Sequence, residues 1–179
     1  MTKLSRRSAS GLIASVLAGP LAGVSAGEAA AKRPGVGDPA PGSVGFDLEG
    51  NPVTLDAYAG KVIVLSFWAT WCTYCRQELP QLKGAQDLAG GKLQVLAINI
   101  EERVAFRRAA HALAPLGLTV VHDGDRRARD AYGVGGIPHL VIIGRDGRIA
   151  AVHVGYGESS LGGIIDEMNH ALSAPASPA

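Results

Sequence analysis

Trp68-Ala69-Thr70-Trp71-Cys72-Thr73-Tyr74-Cys75-Arg76-Gln77-Glu78-Leu79-Pro80 is the stretch that decides the reading of this chain. It follows an apolar run over residues 62–67, opens a segment of helical spacing, and holds both of the chain's 2 cysteines. Two thiols separated by two residues at a helix start can close a small disulfide ring. The unpaired N–H groups and partial positive charge of a helix N-terminus favour a thiolate on the first of them. That position suits thiol–disulfide exchange, with Cys72 attacking and Cys75 resolving. A structural zinc site usually needs four Cys or His ligands, and no second pair exists here. A permanent staple over so short a loop gains little, and stapled folds carry several bridges. No resident metal and no cofactor beyond the Cys72–Cys75 disulfide is expected.

Working outward, the N-terminal residues 1–26 have the form of an export signal. Lys3, Arg6 and Arg7 lead into an apolar stretch over residues 11–24, and Val24-Ser25-Ala26 supplies the small residues of a cleavage site. The stretch is short and broken by Gly19, Pro20 and Gly23, a poor membrane span. Ser5-Arg6-Arg7 resembles a twin-arginine export motif, although Ala9 stands where that motif has a bulky apolar residue. Cleavage after Ala26 would remove three of the 17 basic residues, leaving 14 against 16 acidic ones. That balance gives no electrostatic reason to expect nucleic acid or anionic membrane as a partner. An exported Cys-x-x-Cys pair would sit where disulfides persist, in the periplasm or otherwise outside the cytoplasm.

At 179 residues and 47% hydrophobic, the chain can bury one core without leaning on disulfides. Residues 27–41, rich in Ala, Gly and Pro, read as a flexible linker. Residues 42–172 read as one domain and residues 173–179 as a frayed tail. Within the domain, a hairpin is expected over 44–55, with Asp56 capping a brief turn that ends at Gly60. Residues 61–67 read as a strand buried on both faces. The helix after Cys72 shows Leu79, Leu82, Ala85 and Leu88 on one side, with Pro80 inside it, and stops at Gly90-Gly91. A strand over 93–100, a helix over 101–113, a strand over 118–122 and a short helix over 125–132 follow. Strands over 139–143 and 149–154 flank the turn Arg145-Asp146-Gly147-Arg148. A last helix, capped by Ser159, carries Leu161, Ile164, Ile165, Met168 and Leu172 as a stripe. The alternation predicts an α/β fold, a mixed central sheet with helices on both faces and an N-terminal β-hairpin extension. The cysteines then lie at the C-terminal end of a central strand, where open α/β sheets place their chemistry.

The same residues carry a resemblance. Gly50-Asn51-Pro52-Val53-Thr54-Leu55, Gly60-Lys61-Val62-Ile63-Val64-Leu65, Phe67 through Cys75, Glu78-Leu79-Pro80 and Tyr132-Gly133-Val134-Gly135-Gly136-Ile137-Pro138 stand in one order. With residues 142–149 they cover most of the chain from about 36 to 172. The chain resembles the thioredoxin superfamily, in the exported branch that includes TlpA, ResA and the cytochrome-c-maturation reductases. The resemblance implies a three-layer thioredoxin-like fold. It also implies a cis-proline at Pro138, beside Trp71 and Ile137, that presents the Ile137 backbone to an extended substrate segment. It further implies that Glu78, one helical turn after Cys75, tunes the proton affinity of the pair. A solvated helix glutamate is the bland alternative.

Ser66 occupies the place of thioredoxin's buried aspartate and cannot serve as a base. Thr73-Tyr74 bring no charge between the cysteines, so they leave the reduction potential open. His139, following Pro138, either approaches the cysteines or points away along its strand. His111, His122, His153 and His170 receive no functional reading. The resemblance therefore implies an exported thiol–disulfide oxidoreductase, a monomer that reduces specific protein disulfides and is recharged by a membrane-bound donor. Its substrates would be apocytochrome c segments or the thiols of copper-delivery proteins. A binding module that holds copper with Cys72, Cys75 and His139 is the alternative, and a peroxidase reading is weaker than either.

Overall fold

The computed structural model describes residues 33–155 and 158–175. The expected signal peptide, residues 27–32 of the expected linker and residues 176–179 of the tail lie outside the described residues. Strands β1 (Ser43–Phe46) and β2 (Pro52–Thr54) form the hairpin, followed by a 3-10 turn over Leu55–Tyr58. Then come β3 (Val62–Trp68), α1 (Thr73–Leu88), β4 (Leu93–Asn99), α2 (Arg103–Leu113) and β5 (Thr119–His122). The chain continues through α3 (Arg127–Tyr132), β6 (His139–Ile143), β7 (Ile149–Val154) and α4 (Glu158–Ser173). These seven strands make one sheet in the order β2-β1-β5-β4-β3-β6-β7. β3, β4 and β5 run parallel, and the remaining pairings are antiparallel.

β3 is buried along its whole length because it lies between β4 and β6 with a cover on each face. That double burial is why its sequence is apolar almost without a break. One face packs against α1, α2 and α4 through Leu79, Leu82, Ala109, Ile164 and Met168. The two parallel crossovers β3-α1-β4 and β4-α2-β5 put α1 and α2 on this same side, as right-handed connections require. The other face is closed by Leu55, Ala128 and Tyr132 from the 3-10 turn and α3. The mixed sheet with helices on both faces is thus the observed architecture, with the hairpin extending its edge.

Gly45 marks where that edge is tight. It sits in a register shift of β1 at φ 128°, and a Cβ added there would lie 2.4 Å from the His122 carbonyl oxygen. Only glycine fits such a site without strain.

Several local expectations are corrected. Asp56 does not cap the 3-10 turn; it lies in the first turn after Thr54. α4 begins at Glu158, so Ser159 is inside the helix rather than its cap. Leu88 and Ile165 leave the buried part of their apolar stripes and are exposed, along a groove between α1 and α4. Pro80 lies within α1, where the sequence placed it. Among the described residues no helix is long and apolar enough to cross a membrane.

The parallel strands β3, β4 and β5 all end at one edge of the sheet, and antiparallel β6 begins there. Phe67 of β3 pairs with His139 of β6, which brings Pro138 to the loop that carries the cysteines.

Candidate active site

Cys72 and Cys75 are joined in a disulfide at the start of α1. Cys72 is the helix N-cap, and its sulfur accepts the Cys75 backbone N–H at 3.2 Å. A sulfur in that place meets the N–H groups that no helical carbonyl can use, so it is the one favoured as thiolate once the bond opens. The two sulfurs differ in access: Cys72 keeps 7% of its surface exposed and Cys75 none. A foreign disulfide can therefore reach Cys72 first.

Glu78 is 1% exposed, which excludes the solvated alternative. It sits one turn after Cys75 and accepts a hydrogen bond from the Ser66 hydroxyl at 3.0 Å. Burial pushes its proton affinity above the usual carboxylate range, against the opposing pull of the Ser66 hydrogen bond and the His153 charge. Ser66, set aside in the sequence because it is no base, is thus the anchor of the carboxyl that reaches in from α1.

The Ile137–Pro138 peptide is cis. Neither the N–H nor the carbonyl of Ile137 has a hydrogen-bond partner among the described residues. Trp71 is 68% exposed and forms, with Ile137, Val134, Ile100, Glu101 and Arg129, a groove of about 430 Å³ beside the disulfide. Tyr74 is exposed on the same helix start.

A clamp behind the cysteine loop was not foreseen. Glu101 accepts the Thr70 N–H at 2.6 Å, the Thr70 hydroxyl at 2.7 Å and the Asn99 side-chain amide at 3.1 Å. Burial raises the proton affinity of Glu101, but these hydrogen bonds outweigh it and hold the carboxyl below the usual range. Its own carbonyl accepts the His122 Nε2–H at 2.8 Å, and the His122 ring stacks on Phe106. The available signal was Asn99, a polar residue closing the apolar end of β4. Asp123 likewise accepts the backbone N–H groups of Ala128 and Arg129, fixing the start of the α3 segment that leads to the cis-proline loop.

His139 is not brought to the cysteines. It is buried with its ring edge-on to Phe67 at 5.9 Å, on the sheet face opposite the disulfide, and neither ring nitrogen has a hydrogen-bond partner among the described residues. Burial holds its proton affinity down. The copper alternative thereby loses its third ligand, and among the described residues no group of three or more His, Cys, Asp or Glu side chains could hold a metal ion.

Comparison with known proteins agrees with this geometry. The AhpC/TSA family model matches residues 36–152. The chain belongs to that family. It is 32% identical over 122 residues to the thiol-disulfide oxidoreductase ResA of Geobacillus thermodenitrificans, spanning 67% of this chain and 70% of the relative. It is 30% identical over 135 residues to ResA of Bacillus subtilis, spanning 74% of each. Among solved structures, a Chlorobium tepidum chain carrying the name thiol:disulfide interchange protein DsbE superposes with a TM-score of 0.67 at 29% identity. That match covers 78% of this chain and 99% of the other. The protein is a thioredoxin-like thiol–disulfide oxidoreductase, as the sequence led us to expect.

Proposed function

We propose that this oxidoreductase is exported and works as a reductant of specific protein disulfides, with Cys72 as nucleophile and Cys75 as resolving thiol. The Cys72 thiolate attacks a substrate disulfide, joining one substrate sulfur to itself and releasing the other as a thiolate. Cys75 then gives its proton to the Glu78 carboxylate and attacks the Cys72 sulfur. The second substrate thiolate leaves and the disulfide of the pair closes. Two electrons have moved from the pair to the substrate. Glu78 can act as acceptor because it is sealed beside Cys75, where water cannot take the proton.

The single observation that carries this reading is the unequal access of the two sulfurs, with the buried carboxyl one turn behind the inner one. Trp71, Ile137 and Pro138 form the receiving surface. An extended segment could pair with the unused Ile137 N–H and carbonyl and lay a side chain into the groove beyond. The N-terminal basic and apolar pattern supports export. Outside the cytoplasm, oxidised protein needs an external source of electrons, and a membrane-bound dithiol donor fits. Apocytochrome c segments with paired cysteines, or the thiols of copper-delivery proteins, are the substrate classes that suit such a groove. The protein would act as a monomer and need no cofactor beyond its own disulfide.

The equilibrium reduction potential tests the direction. A value near or below about −270 mV supports a reductant, and one near about −120 mV would make the protein an oxidant.

A further inference from the structure

Glu78 and Cys75 are both closed off from water. What surrounds the carboxyl therefore decides when it holds a proton. Ser66 of β3 is the register partner of Leu140 of β6, and Leu140 of His153 of β7. Register partners project from one face, so the three side chains form a row across the sheet under α1 and α4. Glu78 reaches into this row from α1 and bonds Ser66. At the outer end, His153 Nε2 lies 2.5 Å from Glu167 Oε2 of α4. The His153 and Glu167 side chains are 22% and 46% exposed, so the row runs from a sealed carboxyl to the surface.

We propose that His153, braced by Glu167, is a positioning residue for the resolving step: its charge reaches Glu78 across the row and governs when that carboxyl can accept the Cys75 proton. The inference rests on the reading of Glu78 as proton acceptor. The elements packed around Glu78 offer it little else. β3 contributes the Ser66 hydroxyl and β7 the His153 charge, and α4 bears the Glu167 that pairs with His153. Among the described residues His153 is the charge that acts on Glu78, and it favours the carboxylate. Glu167 holds the imidazole in place through its Nε2. A protonated His153 keeps Glu78 ready at a lower pH than burial alone would allow.

The test is a ¹³C-carboxyl NMR titration of Glu78 in the oxidised protein, its resonance assigned by its loss in E78Q. A parallel pH profile of insulin reduction is recorded for wild type, H153Q, H153K and E78Q. We expect H153Q to move the Glu78 midpoint upward by about half a pH unit to one unit, the effect of a single partly screened charge. The rate profile should move with it, and H153K, which keeps the charge, should restore both. A Glu78 midpoint within about 0.2 unit of wild type in H153Q would overturn the inference. Should E78Q leave the rate profile unaltered, the acceptor role of Glu78 falls. Should E78Q alter that profile and H153Q leave it alone, only the role of His153 falls.

Discussion

Replacing Glu101 by alanine removes three hydrogen bonds at once: from the Thr70 N–H at 2.6 Å, the Thr70 hydroxyl at 2.7 Å and Asn99 Nδ2 at 3.1 Å. A hydrogen bond to a charged group is worth about 1.5–3 kcal/mol where water is excluded. Thr70 is exposed, so water replaces part of the loss, and a reduced figure of about 0.7 kcal/mol each gives a total near 2 kcal/mol. That is a large share of the 5–15 kcal/mol, roughly, that holds a typical domain. Glutamine can turn its oxygen toward the Thr70 N–H and Asn99 while donating its amide to Thr70 Oγ1. E101Q should therefore cost about 1 kcal/mol or less.

The pH dependence has a definite sign. The folded Glu101 carboxyl titrates below the ordinary glutamate value of 4.5, so its contribution is present above pH 4.5 and disappears as pH falls through the lower folded value. Urea unfolding of the disulfide-closed protein at pH 7 and again near pH 3 measures both. Because Thr70 leads into Trp71 and Cys72, E101A should also react with a substrate disulfide several-fold more slowly after reduction. An E101A stability within about 0.5 kcal/mol of wild type at pH 7, or a loss of equal size at both pH values, would refute the clamp.

Three other perturbations have expected outcomes. E78Q should change stability little below pH 4.5, where Glu78 is protonated in either state. It should be more stable than wild type in alkali, because ionising a buried carboxyl of raised proton affinity costs the folded state stability as pH rises above 4.5; urea titrations at pH 4 and 9 measure this, and an equal stability difference at both would count against it. H139F removes two buried ring nitrogens without partners and should gain about 1 kcal/mol at pH 7. That gap should widen on acidification below about 6.5, since the unfolded chain takes up the His139 proton first; equal midpoints at pH 7 and 5 would count against it. G45A should cost about 2–4 kcal/mol in thermal or urea unfolding, from the positive φ together with the Cβ clash at the His122 carbonyl.

Much of the fold was legible because its signals are local. The unbroken apolar run of β3 announced a strand covered twice, and the cysteines followed it directly. The fully buried β6 has no polar alternation, so its sequence could not say which face His139 takes; the pairing with Phe67 decides it. Glu78 was placed by helical spacing, but its burial depends on Ser66 twelve residues earlier, a contact no spacing rule contains. Glu101 reads as an ordinary acidic residue at a helix start until Thr70, 31 residues away, is brought beside it. In β7 the alternation Val152-His153-Val154 reads as valines inward and His153 outward; the structure reverses it, with Val152 and Val154 exposed and Ala151 buried, so His153 takes the inward side. Leu88 and Ile165 show a further failure, apolar at the right period yet exposed along the groove between α1 and α4.

Everything proposed for the chemistry depends on a substrate sulfur bonding to Cys72 and being released by Cys75. Reduced C75S, which can attack but cannot resolve, should be mixed with a disulfide-bonded substrate peptide, and the product located by mass spectrometry beside reduced C72S. We expect a stable peptide adduct on Cys72 in C75S and no adduct in C72S. An adduct on Cys75 in C72S, with Cys72 left free in C75S, would contradict the assignment.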